Sequence, residues 1–151
     1  MTSHKPCSLR DPAPQDEAGW RRLWAGYLAF YETSLDDAMT AHTWARILDP
    51  ASAMFARLAE RDGVLLGFSV NVLHEGSWSR GPICYLEDLF VDPAYRSQGV
   101  GKELIQDLIE KAALAGWAGL YWHTRQDNPA RALYDRFIAA DDFVRYRLVM
   151  G

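Results

Sequence analysis

The residues best placed to do chemistry form a glycine-containing loop, Arg96-Ser97-Gln98-Gly99-Val100-Gly101, between a strand-like and a helical segment. The first amides of a helix have no intrahelical acceptor, and the positive end of the helix dipole attracts anions. Two glycines let phosphate oxygens approach the backbone, although the same spacing also occurs in ordinary turns. The Walker and dinucleotide patterns both fail, because Glu103 and Leu104 occupy their required Ser/Thr and Gly positions. The loop therefore predicts a phosphate site of another type.

Two carboxylates precede this loop and a tyrosine follows it. Glu87 and Asp88 are neighbours in the strand-like segment, and neighbouring strand residues point to opposite faces, so only one is expected to face a given cleft. Tyr134 lies in a helical run. A phenol loses its proton at a pH of about 10, which suits giving a proton to a developing anion. Each of the three also has a structural interpretation, as a hydrogen-bonded carboxylate or a packed ring.

These residues stand in two stretches that resemble the central motifs of the GNAT superfamily of N-acetyltransferases. The first is Tyr85-Leu86-Glu87-Asp88-Leu89-Phe90-Val91-Asp92-Pro93, continuing into Arg96-x-x-Gly99-x-Gly101. The second is Leu120-Tyr121-Trp122-His123-Thr124, followed by Ala130-Arg131-x-Leu133-Tyr134. Together they cover roughly residues 83 to 137. The first stretch resembles the polyamine and thialysine acetyltransferases, whereas the other stretch is more similar to the Hpa-type branch.

The resemblance implies acetyl-CoA as co-substrate and no metal ion. In this family two parallel strands splay apart, so Leu89, Phe90 and Val91 would pair with the pantetheine arm. The pyrophosphate would be held by the amides of Ser97, Gln98, Gly99, Val100, Gly101 and Lys102. Two positions depart from the family pattern: Ser97 stands where many relatives have glycine, and Asp127 stands where they have a pantetheine-binding asparagine. Asn128 follows one residue later.

The resemblance also implies roles in acetyl transfer, which needs a base for the amine and a proton for the departing thiolate. Glu87 is the candidate base, and Asp88 is the candidate partner of the substrate ammonium. Tyr134 matches the position of the family's thiolate-protonating tyrosine. Trp78 is a candidate substrate contact, because an aromatic ring has little reason to stand in the polar turn 76–80.

The leading hypothesis is an N-acetyltransferase that moves the acetyl group of acetyl-CoA directly to a primary amine: a polyamine, an amino acid or a lysine-like side chain. The displaced Asn128 leaves open a catalytically silent acyl-CoA-binding sensor or interaction module. The branch resemblance leaves open a protein-lysine acetyltransferase. The family and the many aromatic residues also suggest a homodimer.

Composition narrows the class of protein further. With 151 residues, 49% of them hydrophobic, the chain is expected to form one domain over residues 1–151. A net charge of -4 offers no basic face for nucleic acid and mildly favours cationic substrates. Cys7 and Cys84 lack metal-site spacing, and no stretch of eighteen apolar residues occurs. These features predict a cytoplasmic enzyme without membrane contact.

Apolar periodicity predicts the elements that must position these residues. Helices are expected over residues 15–33, 35–48, 99–115 and 130–139, and strands over 83–91, 120–124 and 143–150. A hairpin is expected to turn at Arg61-Asp62-Gly63. One helical stripe carries Trp20, Trp24, Tyr27 and Tyr31, which favours a core over an aromatic cage for an amine. The fold class is α+β (mixed α/β): a mostly antiparallel GNAT sheet with splayed parallel strands and helices on both faces.

Overall fold

A five-stranded sheet in sequential order forms the centre of the molecule. The computed structural model describes residues 4–151. The strands are β1 (Ser8–Arg10), β2 (Met54–Arg61), β3 (Val64–His74), β4 (Ile83–Val91) and β5 (Gly119–Tyr121). β1 to β4 pair antiparallel, and β5 joins β4 in parallel. The mostly antiparallel sheet predicted from the sequence is confirmed.

Four helices cover the two faces of this sheet. They are α1 (Glu17–Phe30), α2 (Asp37–Leu48), α3 (Val100–Ala115) and the single-turn α4 (Arg131–Tyr134). α1 and α2 pack on one face, where Trp20 stacks on Trp24 and Trp44 with ring centroids 5.1 and 5.2 Å apart. α3 packs on the other face, through Leu104 and other buried side chains. Trp20 and Trp24 are therefore core, as predicted, and Tyr27 packs against them, whereas Tyr31 is 37% exposed, so the prediction is wrong for Tyr31. No helix within residues 4–151 has both the length and the apolar character needed to cross a membrane.

Turn and cap residues fix where these elements begin and end. The hairpin turns at Asp62 and Gly63, whose positive φ angles of 51° and 79° match the favoured two-residue hairpin. The Asp36 carboxylate accepts a 2.7 Å hydrogen bond from the Met39 amide and so caps α2. Gly116 ends α3 with φ of 70°. All three boundaries follow from residue types that are visible in the sequence.

β4 and β5 diverge in the middle of the sheet. They pair at only three positions, from Ile83 opposite Gly119 to Tyr85 opposite Tyr121. β4 then continues to Val91, and within the described chain no strand lies on that side of it. The splayed parallel strands predicted from the resemblance are confirmed.

The carboxyl-terminal region departs from the sequence prediction. β5 has three residues instead of the expected five, and α4 ends at Tyr134. The segment 143–150, predicted as a final strand, pairs with no strand within residues 4–151, so this prediction is wrong for the single chain. Periodicity reports that a segment can form a strand, but a strand also needs an edge to pair with.

Candidate active site

The loop before α3 has the geometry of an anion site. Gly99 precedes the helix with φ of 84°, and Ser97 also adopts a left-handed φ of 63°. Within residues 4–151, none of the six amides from Ser97 to Lys102 donates to a backbone or side-chain acceptor in the loop or its surroundings. These amides lie at the positive end of a sixteen-residue helix. The residues fit a pyrophosphate, because unpaired amides and the helix dipole converge on one place.

Neighbouring elements hold this loop in place. The Arg61 guanidinium at the end of β2 donates to the Gln98 side-chain oxygen at 2.8 Å. A Cβ on Gly101 would lie 3.1 Å from Leu133 Cδ2, so the absence of a side chain lets α4 approach the loop closely. Lys102 is exposed. The phosphate loop is thus linked to the helix that carries the predicted acid.

Asp88 on β4 is held by the hydroxyl of a tyrosine on α1. Tyr27 on α1 donates to Asp88 Oδ1 at 2.5 Å. The Tyr27 ring stacks on Trp24 and meets Phe90 edge-on, with centroids 5.3 and 6.2 Å apart. Burial raises the pKa of Asp88 to about 6, the hydrogen bond from Tyr27 opposes this rise, and the charge of Glu87 adds to it. The carboxylate is therefore mostly ionised at neutral pH yet basic for an aspartate.

Glu87 lies at an irregularity in the pairing of β4. Val70 stands opposite Asp88 and Asn71 opposite Leu86, so Glu87 has no counterpart on β3. Its side chain is exposed, and its negative charge raises the pKa values of Tyr27 and Asp88. After the larger effect of burial, the charges of Glu87 and Asp88 both raise the pKa values of Tyr27 and Tyr85.

Tyr134 ends α4 beside the cleft. Burial raises its pKa to about 12, with a smaller contribution from Tyr31 at the end of α1. Its ring meets Trp122 edge-on, with centroids 5.7 Å apart. Within the described chain its hydroxyl is not engaged by another residue. A buried phenol with an available hydroxyl can give a proton to a strong base such as a thiolate.

Two tyrosines and two histidines form an aromatic wall beside the paired part of β4 and the end of β5, made of His74, Tyr85, Tyr121 and His123. The Tyr85 and Tyr121 rings stack with centroids 5.0 Å apart. The Tyr121 hydroxyl lies 2.9 Å from His74 Nε2, and the Tyr85 hydroxyl lies 3.4 Å from His123 Nδ1. Glu87 raises the pKa of Tyr85 after the larger effect of burial. The wall was missed in the sequence because its members come from three strands and the loop after β5 and share no motif.

Asn128 and Asp127 line a cavity of about 240 Å³ between the end of α1 and the loop before α4. The Asn128 side chain donates to Thr124 Oγ1 at 2.8 Å and accepts from the Ala130 amide at 2.9 Å. One of its amide hydrogens remains available for a ligand. A larger cavity of about 460 Å³ contains none of the predicted site residues. The predicted site residues therefore do not lie in the larger of these two cavities.

The remaining residues that were predicted to contact the cofactor or the substrate lie in several different places. Leu89 and Val91 pack against the α3 side, whereas Phe90 is buried against α1. The Arg96 guanidinium lies over the Phe90 ring and donates to the Val91 carbonyl at 3.2 Å. That carbonyl thus already has a donor. Trp78 is completely exposed in the β3–β4 turn and is not brought to the cleft.

Two findings from comparison with known proteins agree with this geometry. The family model described as "Acetyltransferase (GNAT) family" matches residues 19–138. The chain belongs to the GNAT acetyltransferase family. It is also 32% identical over 137 residues to the D-amino-acid N-acetyltransferase HPA3 of Saccharomyces cerevisiae, covering 89% of this chain and 85% of that protein. The chain is accordingly an acetyltransferase, and enzymes of this family use acetyl-CoA.

Solved structures show the same fold at lower identity. An aminoglycoside acetyltransferase from an uncultured soil metagenomic sample, crystallised with trehalose, superposes with a TM-score of 0.81 at 20% identity, covering 96% of this chain and 97% of that one. The acetyltransferase AAC(6')-Iy, solved with a CoA bisubstrate analogue, superposes with a TM-score of 0.77 at 20% identity, covering 97% and 99%. Within residues 4–151, no cluster of side chains suited to a metal ion occurs in this GNAT chain.

Proposed function

We propose that this GNAT enzyme transfers the acetyl group of acetyl-CoA to the primary amine of a small molecule, with amino acids as the first candidates. The observation that carries the proposal is the partly buried Asp88 carboxylate, bound to Tyr27 beside the unpaired side of β4. The likeness to a D-amino-acid acetyltransferase supports an amino-acid acceptor. The acidic cleft supports an acceptor that arrives as a cation.

The chain's own groups fit acetyl-CoA at two places. The loop amides from Ser97 to Lys102 would hold the pyrophosphate, and Asn128 would offer its remaining amide hydrogen to the pantetheine arm. The backbone of Leu89 and Phe90 on the open side of β4 would pair with the same arm as an added strand would. When bound, acetyl-CoA supplies the thioester that reacts with the amine.

The carboxylate pair would prepare the amine. An ammonium must lose a proton before its lone pair can attack a carbonyl carbon. We assign this proton to Asp88, because burial raises the pKa of its carboxyl to about 6. We assign the attraction of the ammonium to Glu87, whose side chain is exposed. This reverses the two roles expected from the sequence. Trp78 has no part in the proposal, because its ring lies in solvent.

Tyr134 would complete the transfer. As the new C–N bond forms and the C–S bond breaks, the sulfur leaves as a thiolate and needs one proton. The Tyr134 hydroxyl can give it, since its pKa of about 12 keeps the phenol protonated until a strong base develops nearby. The acylated nitrogen gives up its second proton, which restores the Tyr134 hydroxyl through water, and Asp88 releases the first proton to solvent. The protons then balance, and no covalent enzyme intermediate is needed.

The test is thiol release from acetyl-CoA with a panel of amines: D- and L-amino acids, a polyamine, an aminoglycoside and a lysine peptide. Gly99→Glu places a negative charge in the phosphate loop and should abolish release. Gly63→Glu is a matched control, because both glycines have a similar positive φ, 84° and 79°, and at both an added Cβ meets nothing within 4 Å. Only Gly99 lies at the loop.

Each outcome separates the proposal from its rivals. Amine-dependent release that survives in Gly63→Glu but not in Gly99→Glu would support it. Acetyl-CoA binding without release for any amine would instead indicate a sensor, the alternative suggested by the displaced Asn128. Release with the lysine peptide alone would indicate a protein-lysine acetyltransferase.

A further inference from the structure

The cavity of about 240 Å³ between the end of α1 and the loop before α4 is only partly explained by the proposed function. Of its lining residues, that proposal uses Asn128 alone. The wall also carries the aromatic side chains of Phe30 and Tyr31 and the charged side chains of Glu32 and Arg125. The volume equals roughly eight water molecules at about 30 Å³ each, which suits a molecule of the size of an amino acid.

This cavity lies next to the residues that are proposed to move protons. The ring of Tyr31 on its wall packs against Tyr27, with centroids 5.0 Å apart, and Tyr27 donates to Asp88. Tyr31 is also close enough to raise the pKa of Tyr134, after the larger effect of burial. An acceptor that presents its amine to Asp88 can therefore extend its other groups into the cavity.

Arg125 is the cation of the cavity wall. Its side chain is exposed, and within residues 4–151 its guanidinium forms no ion pair. The Asn128 amide donates to the Arg125 carbonyl at 3.0 Å, so the backbone of Arg125 is held while its side chain stays available. By contrast, the nearby Arg131 donates to the Gln126 carbonyl at 2.9 Å. A guanidinium binds a carboxylate through two parallel hydrogen bonds, so Arg125 can take a carboxylate from a ligand.

Glu32 occupies a strained position on the same wall. Its φ angle is 52°, and its amide donates to the Ala29 carbonyl at 3.0 Å in the turn that ends α1. This position after a helix usually carries glycine. Residues held in such a conformation are frequent at ligand sites. With Asp127, Glu32 places two negative charges on the cavity wall, which attract an ammonium and repel an acidic side chain.

We propose that this cavity binds the acceptor as an α-amino acid, with Arg125 holding its carboxylate while its ammonium faces Asp88. This inference rests on the proposed function and narrows its substrate class. The side chain of the acceptor packs on Phe30, whose ring is 52% exposed on the cavity wall. Amino acids with apolar or basic side chains fit, and those with acidic side chains do not. Polyamines and aminoglycosides lack the carboxylate that Arg125 binds.

The test uses pairs of acceptors that differ only in the carboxylate: D-phenylalanine with phenethylamine, and D-lysine with cadaverine. Arg125→Gln should raise KM for the two amino acids by roughly 10- to 100-fold, while kcat and the KM values of the two amines stay unchanged. Arg80→Gln is the matched control, because it removes the same charge from an exposed arginine in the β3–β4 turn, outside the cavity. Arg125→Lys keeps the charge but loses the two-pronged contact, so its KM for the amino acids should be intermediate.

Two kinetic results would overturn the inference. One is a wild type that does not prefer either amino acid to its amine, and the other is an Arg125→Gln variant whose KM rises equally for amines and amino acids. In both cases amine-dependent thiol release persists, so the proposed function stands.

Calorimetric titration with D-phenylalanine and D-lysine tests the site without turnover. Binding to the wild type and to Arg80→Gln, but not to Arg125→Gln, is expected. Binding to Arg125→Gln as tight as to the wild type, or no binding of either amino acid to the wild type, would refute the assignment of Arg125. Binding that depends on Arg125 without any thiol release would support the amino-acid site and contradict acetyl transfer.

Discussion

Replacing Asp88 with asparagine should stabilise the protein while destroying its activity. Burial raises the pKa of this carboxyl from an ordinary 3.8 to about 6 in the folded state. A difference of about two units corresponds to about 3 kcal/mol of unfolding free energy lost when the group ionises. Asparagine has a similar shape and cannot ionise, and its side-chain oxygen can still accept the Tyr27 hydrogen bond. Asp88→Asn should therefore be more stable than the wild type at neutral pH by up to about 3 kcal/mol, or about 6–12 °C in Tm.

The stability difference between Asp88→Asn and the wild type should depend on pH in one direction, which can be checked. Between pH 3.8 and about 6 the folded protein binds the Asp88 proton more tightly than the unfolded chain does, so the wild type loses stability as pH rises through this window. Above about pH 6, the loss of stability caused by ionised Asp88 is complete and no longer changes with pH. The stability gap between Asp88→Asn and the wild type should thus be close to zero at pH 4 and at its maximum at pH 8.

Urea unfolding at pH 4, 6 and 8 measures this gap. Asp92→Asn is a control of opposite sign, because hydrogen bonds from the Ala94 amide and Arg22 lower the pKa of Asp92. Its stabilising contribution is present above the ordinary carboxyl pKa and is lost on acidification, so this variant should be less stable than the wild type at pH 8. If Asp88→Asn gained no stability at pH 8, or gained the same amount at every pH, the assignment of Asp88 as a buried and costly charge would be wrong. Activity of Asp88→Asn should fall by about 10²-fold or more.

Three further substitutions test the site. Tyr27→Phe removes the hydrogen bond that lowers the pKa of Asp88, so the acid limb of kcat/KM, near pH 6 in the wild type, should move to higher pH in a pH–rate profile. Tyr134→Phe should lower kcat by about 10²-fold while acetyl-CoA binding, followed by calorimetry, is unchanged; an unchanged kcat would exclude Tyr134 as the acid. Ser97→Gly should raise the midpoint of thermal unfolding, because the left-handed φ of 63° strains serine by about 1 kcal/mol, and a lower midpoint would contradict that strain.

The elements that local signals define were predictable from the sequence. The alternating β2 and β3 with Asp62-Gly63 between them gave the hairpin, because few residues other than Gly, Asn and Asp tolerate its positive φ angles. The apolar spacing of α3 and its glycines at both ends gave the helix and the loop before it. The splayed sheet followed from the family resemblance and not from periodicity.

The arrangement of the site was only partly predictable. Glu87 and Asp88 were identified as candidates, but the contact of Asp88 with Tyr27 and the bulge opposite Glu87 depend on tertiary pairing. Tyr27 was assigned to the core stripe, because its spacing matches that of its tryptophan neighbours. Its hydroxyl meets a carboxylate only because α1 crosses the sheet at Asp88, 61 residues further along the chain.

The sequence by itself determined the family, the phosphate loop, the central strand and the residue types that can move protons. These depend on short-range features: glycine conformation, helix amides and motif order. The tertiary structure alone decided which carboxylate is buried, which hydroxyl holds it, and that the terminal segment 143–150 lacks a strand partner in its own chain. Burial and strand pairing depend on residues that are far apart in sequence. The pKa of a carboxyl in the fold and the presence of an unpaired strand edge are therefore set only when folding brings those residues together.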